Sequence, residues 1–325
     1  MAGVTEVDLV IVGAGPAGLF GAYYAGFRGL SVAVVDSLPE LGGQVTALYP
    51  EKAIYDVAGF LVVTGRQLVA QLVEQAESAK PTYLLGHTGV DLETGEDGVV
   101  LRLDDGTEVR AKVAILTAGI GTFTPRALPA GDGWEGRGLV FFVPSFEEFR
   151  DKRVVIVGGG DSAFDWASAL TDIAESVTLV HRRDAFRAHA ATVDAVKAGP
   201  TRIITNAQVS EIRGDAWLEE VDVTTPDGTE TLKADAVIAA LGFIADLSTL
   251  KEWGLEFNKR NIAVDSAMRT NLPRVFAAGD LVEYDGKVRL IAVGFGEVAT
   301  AVNNAAVVID PSAHVFPGHS SGESA

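Results

Sequence analysis

The feature that most constrains this chain is a supersecondary unit used twice. Val7–Val12 is a short apolar run, followed by Gly13-Ala14-Gly15-Pro16-Ala17-Gly18. A helical stretch, Ala17–Arg28, is closed by Gly29, and a second apolar run, Ser31–Val35, stops at Asp36. Strand, Gly-rich turn, helix and strand make one βαβ unit. The order returns at Val154–Val157, Gly158-Gly159-Gly160-Asp161-Ser162-Ala163, a helical Ala163–Ala174 and Val177–Val180, which ends at His181-Arg182-Arg183. Gly13 and Gly158 are 145 positions apart, so the chain predicts two copies of one unit.

Each unit is accompanied by a hairpin pattern. Val99–Leu103, the turn Asp104-Asp105-Gly106 and Glu108–Ile115 form one; Val221–Thr225, the turn Pro226-Asp227-Gly228 and Thr231–Ala239 form the other. Two short Gly-containing segments, Thr117–Arg126 and Leu241–Ser248, flank the second unit and read as crossovers of an inserted domain. The expected division is a discontinuous domain at 1–119 and 245–325, with a second domain at 124–243 between its halves.

The glycines have separate jobs. Gly13 permits the tight turn, Gly15 lets backbone approach a diphosphate, and Gly18 lets the helix pack close to the sheet. The helix start offers free N–H groups and the positive end of a dipole to that diphosphate. Asp36, 23 residues after Gly13, sits where a carboxylate accepts hydrogen bonds from ribose hydroxyls. Gly158, Gly160 and Ala163 repeat the device, but 23 residues after Gly158 stands His181, followed by Arg182, Arg183 and Arg187. An acid there would repel a 2′-phosphate, whereas guanidinium groups bind one through charge-assisted pairs. One plain and one phosphorylated adenosine ribose are therefore expected, and FAD and NADPH fit that pair.

Composition narrows the rest. The 325 residues are 48% hydrophobic and 22% charged, with a net charge of −18, which argues against general nucleic-acid binding. No cysteine is present, which removes disulfides, thiolate metal sites and Cys nucleophiles. The five His show no paired spacing, so no metal site is expected. The N-terminus shows no targeting pattern and no long apolar run suggests a membrane span, so the expectation is a cytoplasmic protein.

Several segments carry a resemblance. Gly158–Ala163, His181–Arg183 and Ala277-Ala278-Gly279-Asp280 resemble thioredoxin reductase. That family has a redox Cys-x-x-Cys before the second Gly-rich turn, where this chain reads Phe141-Phe142-Val143-Pro144. A dithiol relay cannot run without sulfur. Gly42–Lys52, Asp56–Phe60, Gly158–Ala167, Gly294–Glu297 and the tail Pro317–Ser321 look like the thioredoxin-reductase-like class of ferredoxin–NADP reductase. That resemblance covers nearly the whole chain.

It implies an α/β fold of two Rossmann-like dinucleotide-binding domains, three-layer ββα in type, with the NADPH domain inserted into the FAD domain. Gln44 and Tyr49 would contact the flavin, with the Tyr49 ring stacked on it. Gly89 would offer backbone near the adenine, and Phe123 would pack beside the cofactor at the crossover. Gly279 and Asp280 would bind the ribityl and phosphate region. Ala299, read as lying at a helix start, would aim its N–H at the flavin pyrimidine. His319, Ser320 and Ser321 would cap the other flavin face from the C-terminal extension, across a homodimer.

The implied activity moves electrons between NADPH and ferredoxin or flavodoxin, by hydride transfer to the flavin followed by single-electron steps. Tyr49 and His319 would flank the ring and limit solvent access. Ferredoxin docking would draw on Lys52, Arg66 and Arg153. The inserted domain would rotate to bring nicotinamide and flavin together. An NADPH-dependent reductase or oxidase acting on quinone or oxygen, and a flavin-based redox sensor, carry the same Gly-rich signals and stay open.

Overall fold

The computed structural model describes residues 3–119 and 121–318; the side chains of Thr122, Phe123 and Ala245 lie outside that description. The described residues form two compact units: 3–47, 53–123 and 245–318 make the first, and 48–52 with 124–244 the second.

In the first unit β1 (Val4–Val12) leads into helix α1 (Pro16–Phe27) and strand β2 (Val32–Asp36). β1 is the centre of a seven-stranded sheet, parallel to β2 on one side and to β3 (Glu108–Leu116) on the other. Leu9, Val10 and Ile11 are 0% exposed, as expected of a strand covered on both faces. β3 has a divided outer edge. Its first residues pair antiparallel with Val99–Arg102, completing the expected hairpin, and its last residues pair in parallel with Val275–Ala277. The strand Gly89–Thr94 lies beyond the hairpin, and Thr82–Leu85 extends the sheet from β2.

Small residues set the spacing of the helices on this sheet. A Cβ added to Gly21 of α1 would lie 2.7 Å from Val298 Cγ2 on the terminal helix Ile291–Ile309. That helix is long and apolar enough to cross a membrane by length and composition. Here Val298, Ala301, Val302 and Ala305 are fully buried in the first unit.

The second unit repeats the plan. β4 (Arg153–Gly158), α2 (Asp161–Leu170) and β5 (Ser176–Val180) form its βαβ core, in a five-stranded parallel sheet completed by Arg202–Ile204, Leu139–Val140 and β6 (Ala236–Ala240). α2 stops at Leu170, short of the expected Ala174. Phe164, Ala167 and Leu170 on its inner face are all 0% exposed.

The second hairpin differs from expectation. Leu218–Thr225 pairs antiparallel with Gly228–Lys233, and Gln208–Gly214 adds a third strand. The run expected to continue to Ala239 breaks at Ala234-Asp235. Asp235 there accepts from the Arg153 backbone N–H (2.9 Å) and guanidinium. Beyond the break, Ala236–Ala240 joins the parallel sheet beside β4. Thr122–Pro125 and Phe243–Asp246, in the two crossovers, pair as a two-stranded ribbon. The fold is α/β with two Rossmann-like units.

Candidate functional site

The first Gly-rich turn is bolted in place by backbone. Gly13 N–H donates to Val35 O (2.8 Å), and Gly42 N–H donates to Ala14 O (2.9 Å). The buried Thr117 hydroxyl donates to Gly13 O at 2.8 Å. Gly13 has φ +114°, and a Cβ there would fall 2.6 Å from the Thr117 carbonyl, so no L side chain fits. A Cβ on Gly18 would strike Gly13 O. Gly15, between them, has nothing within 4 Å of its Cβ position.

Gly15 also caps α1 without any side-chain hydrogen bond, and no acid occupies the first turn. Free N–H groups and the dipole's positive end therefore face open space, which fits the diphosphate of a dinucleotide. Asp36, at the end of β2, faces this turn. Its Oδ2 accepts from Ala14 N–H (2.6 Å) and its Oδ1 from Leu38 N–H (2.8 Å). Burial raises the Asp36 pKa, and the two N–H bonds oppose that shift.

The other residues expected at this site lie on separate elements. Gln44 opens a short helix, and its amide lies where a Cβ of Gly119 would be. Tyr49 follows that helix and is half-buried. Gly89 starts its strand with Leu101 and Trp253 against its α-carbon. Phe123 lies on the crossover ribbon, its side chain undescribed. His319, Ser320 and Ser321 lie outside the described residues.

Gly279, at φ +83°, turns the chain after Val275–Ala277 and packs on Ala17 of α1. Asp280 follows, solvent-accessible but closely ringed by protein. That partial desolvation raises its pKa, while Lys287 and Arg289 pull it down.

Ala299 requires a correction. The terminal helix begins at Ile291, so Ala299 is in its interior, where an N–H is directed to the carbonyl four residues back. The free N–H groups of that helix belong to its first turn, from Ile291.

The second Gly-rich turn has the same anatomy. A Cβ on Gly158 would lie 2.5 Å from Ala240 O, and Ala163, fully buried, packs against it. Gly160 has nothing within 4 Å of its Cβ position. Asp161, in the first turn of α2, has Oδ1 engaged by the His189 N–H.

The basic loop is fastened onto this turn. Arg187 N–H donates to Gly159 O at 2.8 Å, and His181 Nε2 is 3.2 Å from Ala185 O. The His181 ring stacks toward Phe186 at 5.4 Å. Burial lowers the His181 pKa, and the charges of Arg182, Arg183 and Arg187 add to the effect. Among the described residues, none of those three guanidiniums pairs with a carboxylate. Elsewhere in the same unit Arg153 pairs with Asp235, Arg202 with Glu230 and Arg213 with Asp222. In a chain with 44 acidic and 26 basic residues, three arginines of one loop without a carboxylate partner among the described residues have the chemistry to bind an anion.

Two of the expected docking cations have carboxylate partners. Lys52 Nζ is 2.7 Å from Asp165 Oδ2, and Arg153 is held bidentately by Asp235. Each is committed to a carboxylate of its own chain. His87, Asp104 and Asp105 bring potential metal-ligand atoms within 4.8 Å of one another at the surface, a grouping that sequence spacing did not reveal.

These twin cradles lie within a match, over residues 7–305, to the family described as pyridine nucleotide-disulphide oxidoreductase. The chain belongs to the pyridine nucleotide-disulphide oxidoreductase family. A ferredoxin–NADP reductase from Nocardioides sp. is 66% identical over 320 residues, covering 97% of each chain. Another, from Frankia alni, is 61% identical and covers 97% of this chain and 99% of its own. Among solved structures, the thioredoxin reductase of T. acidophilum matches with a TM-score of 0.77 at 29% identity, covering 93% of this chain and 98% of its own. This member of the pyridine nucleotide-disulphide oxidoreductase family has no cysteine, so its acceptor chemistry cannot be a dithiol's.

One buried charged cluster of this family member is not legible from sequence spacing. Glu297 is 5% exposed, and Lys287 Nζ sits 2.6 and 2.7 Å from its two oxygens. Tyr284 Oη donates to it at 2.6 Å and Gly279 N–H at 2.8 Å. Burial and Glu297 push the Tyr284 pKa up to about 12. The available signal was an acid inside an apolar helical run, Gly294-Phe295-Gly296-Glu297-Val298.

Proposed function

We infer that the chain is an FAD-dependent ferredoxin–NADP reductase, moving electrons between NADPH and ferredoxin. The observation that carries this is the contrast between its cradles: one ends at the Asp36 carboxylate and the other at Arg182, Arg183 and Arg187, which pair with no carboxylate among the described residues. Full-length similarity to proteins of that name supports the acceptor.

In this reading the FAD domain is 1–119 with 245–325, and the NADPH domain is 124–243. Gly13, Gly15 and Gly18 seat the FAD diphosphate, and Asp36 holds its adenosine ribose. Gln44, Gly89, Phe123, Gly279 and Asp280 line the remaining length. Tyr49 and His319 flank the flavin, with Ser320 and Ser321 beside it. The first turn of the terminal helix, in place of Ala299, directs N–H groups to the pyrimidine edge. Gly158, Gly160 and Ala163 seat the NADPH diphosphate; His181, Arg182, Arg183 and Arg187 hold its 2′-phosphate.

Bound FAD supplies a two-electron hydride acceptor that releases electrons singly. The protein's part is alignment and exclusion of water, and no side-chain acid or base is required. The family resemblance extends the reading to a cytoplasmic homodimer.

Rapid-mixing reduction by NADPH and by NADH, followed by reoxidation with ferredoxin, flavodoxin, quinone and oxygen, tests it. Fast reduction by NADPH and fast reoxidation by ferredoxin are expected. Equal efficiency with NADH would remove the 2′-phosphate assignment. Reoxidation faster with quinone or oxygen than with ferredoxin would reassign the acceptor.

A further inference from the structure

The turn at Gly279–Asp280 is clamped by its backbone while its carboxylate is left free. Gly279 N–H donates to Glu297 Oε2 at 2.8 Å, and Asp280 O accepts from Asn261 Nδ2 at 2.7 Å. Ala278 N–H donates to Leu116 O at 2.9 Å, tying the preceding residue to β3. Among the described residues the Asp280 carboxylate makes no hydrogen bond or ion pair. A Cβ on Gly294, in the terminal helix, would lie 3.5 Å from Gly279 Cα and 3.7 Å from Ala17 Cβ. The turn, the start of α1 and the first turns of the terminal helix thus meet at one point.

The acceptor for Gly279 is an unusual choice. A buried N–H needs a partner, but a neutral carbonyl suffices. Here the partner is a buried carboxylate, itself neutralised by Lys287, whose side chain is 0% exposed. Burying an ion pair is poor value for stability alone, because apolar residues of the same volume commonly do as well. What it provides is direction. Two oxygens fixed by Lys287 and Tyr284 leave one lone-pair position for Gly279, and the φ of Gly279 decides where Asp280 points.

We propose that Glu297, Lys287 and Tyr284 are positioning residues that hold the Gly279–Asp280 turn in the conformation that binds FAD. This rests on the reading of Asp280 as an FAD ligand, and the test separates the two. FAD is titrated into apoprotein of each variant, following quenching of flavin fluorescence and the visible spectrum of the bound flavin. Circular dichroism and chemical denaturation of each apoprotein report that the first unit is folded, and the affinity for 2′,5′-ADP reports on the second cradle alone.

The pair Lys287→Met with Glu297→Gln removes both charges but keeps an acceptor for Gly279. The pair Lys287→Met with Glu297→Leu removes the acceptor as well. The Leu pair is expected to bind FAD at least tenfold more weakly than the Gln pair, the size of one lost hydrogen bond to a buried donor. Its 2′,5′-ADP affinity is expected to stay unchanged. Tyr284→Phe leaves the ion pair whole and is expected to weaken FAD roughly threefold, with the 2′,5′-ADP affinity unchanged.

Equal FAD affinity in the Gln and Leu pairs, or no effect of Tyr284→Phe, overturns the positioning role. If Asp280→Asn weakens FAD in that case, the FAD reading of the turn survives and only the positioning role falls. If Asp280→Asn leaves FAD affinity intact, the reading falls and the positioning role with it.

Discussion

The His181 imidazole lies against the α-carbon of Gly159, so close that a Cβ there would sit 2.3 Å from His181 Cε1. Gly159 has no positive φ, so its need for glycine is steric rather than conformational. Gly159→Ala must push the ring aside, and with it the loop that Arg187 N–H ties to Gly159 O. A fall in NADPH affinity of roughly 10- to 100-fold is expected, the scale of misplacing a charge-assisted pair, with bound FAD undiminished. Titration of 2′,5′-ADP alongside the flavin-to-protein ratio measures both.

Removing charge from the same loop should act on one phosphate only. Arg182→Ala or Arg183→Ala is expected to lose about 1.5–3 kcal/mol of NADPH binding. The KM for NADH should stay within about twofold, because no 2′-phosphate is present to notice the change. Steady-state kinetics with both nucleotides checks this; a parallel loss for NADH would make the loop structural.

The helix contact in the first unit gives a prediction that is its own control. Gly21→Ala places a methyl 2.7 Å from Val298 Cγ2 and should destabilise by about 1–3 kcal/mol. Adding Val298→Ala makes room, so the double variant should cost less than the sum of the two single changes. Chemical denaturation of the four proteins measures the coupling.

Acid should act on the second unit through Asp222. Hydrogen bonds from Arg213, and next from Thr231, hold the Asp222 carboxyl down from its ordinary 3.8 to about 2. A depressed carboxylate stabilises the fold above its unfolded pKa, and that stability drains as pH falls through the folded value. Asp222→Asn should therefore flatten the loss of stability between pH 4 and pH 2, and be less stable than wild type at pH 7. Urea midpoints across pH 2–7 test the sign.

The residues that could be read from sequence are those whose role is local. Gly13, Gly15, Gly18 and Asp36 announce a cradle because turn, helix and strand follow one another along the chain, and Gly158 to Arg187 repeat the order. The terminal helix was harder. Its start at Ile291 has no capping side chain, so the sequence alone puts the helix start near Ala299, about two turns too late. Ala236–Ala240 has the same apolar character as a hairpin arm, and only the Arg153–Asp235 pair, 82 residues apart, shows where the hairpin stops. The commitments of Lys52 to Asp165 and of Glu297 to Lys287, Tyr284 and Gly279 join different elements, so no spacing rule reveals them.

The divided edge of β3 has a consequence for biosynthesis. Its lower half finds Val99–Arg102 at once, but its upper half waits for Val275–Ala277. By then the ribosome has already delivered all of 124–244, a continuous stretch carrying its own sheet and helices. The cradle encoded first is thus completed last. A chain truncated just before Val275 should already retain 2′,5′-ADP while remaining colourless.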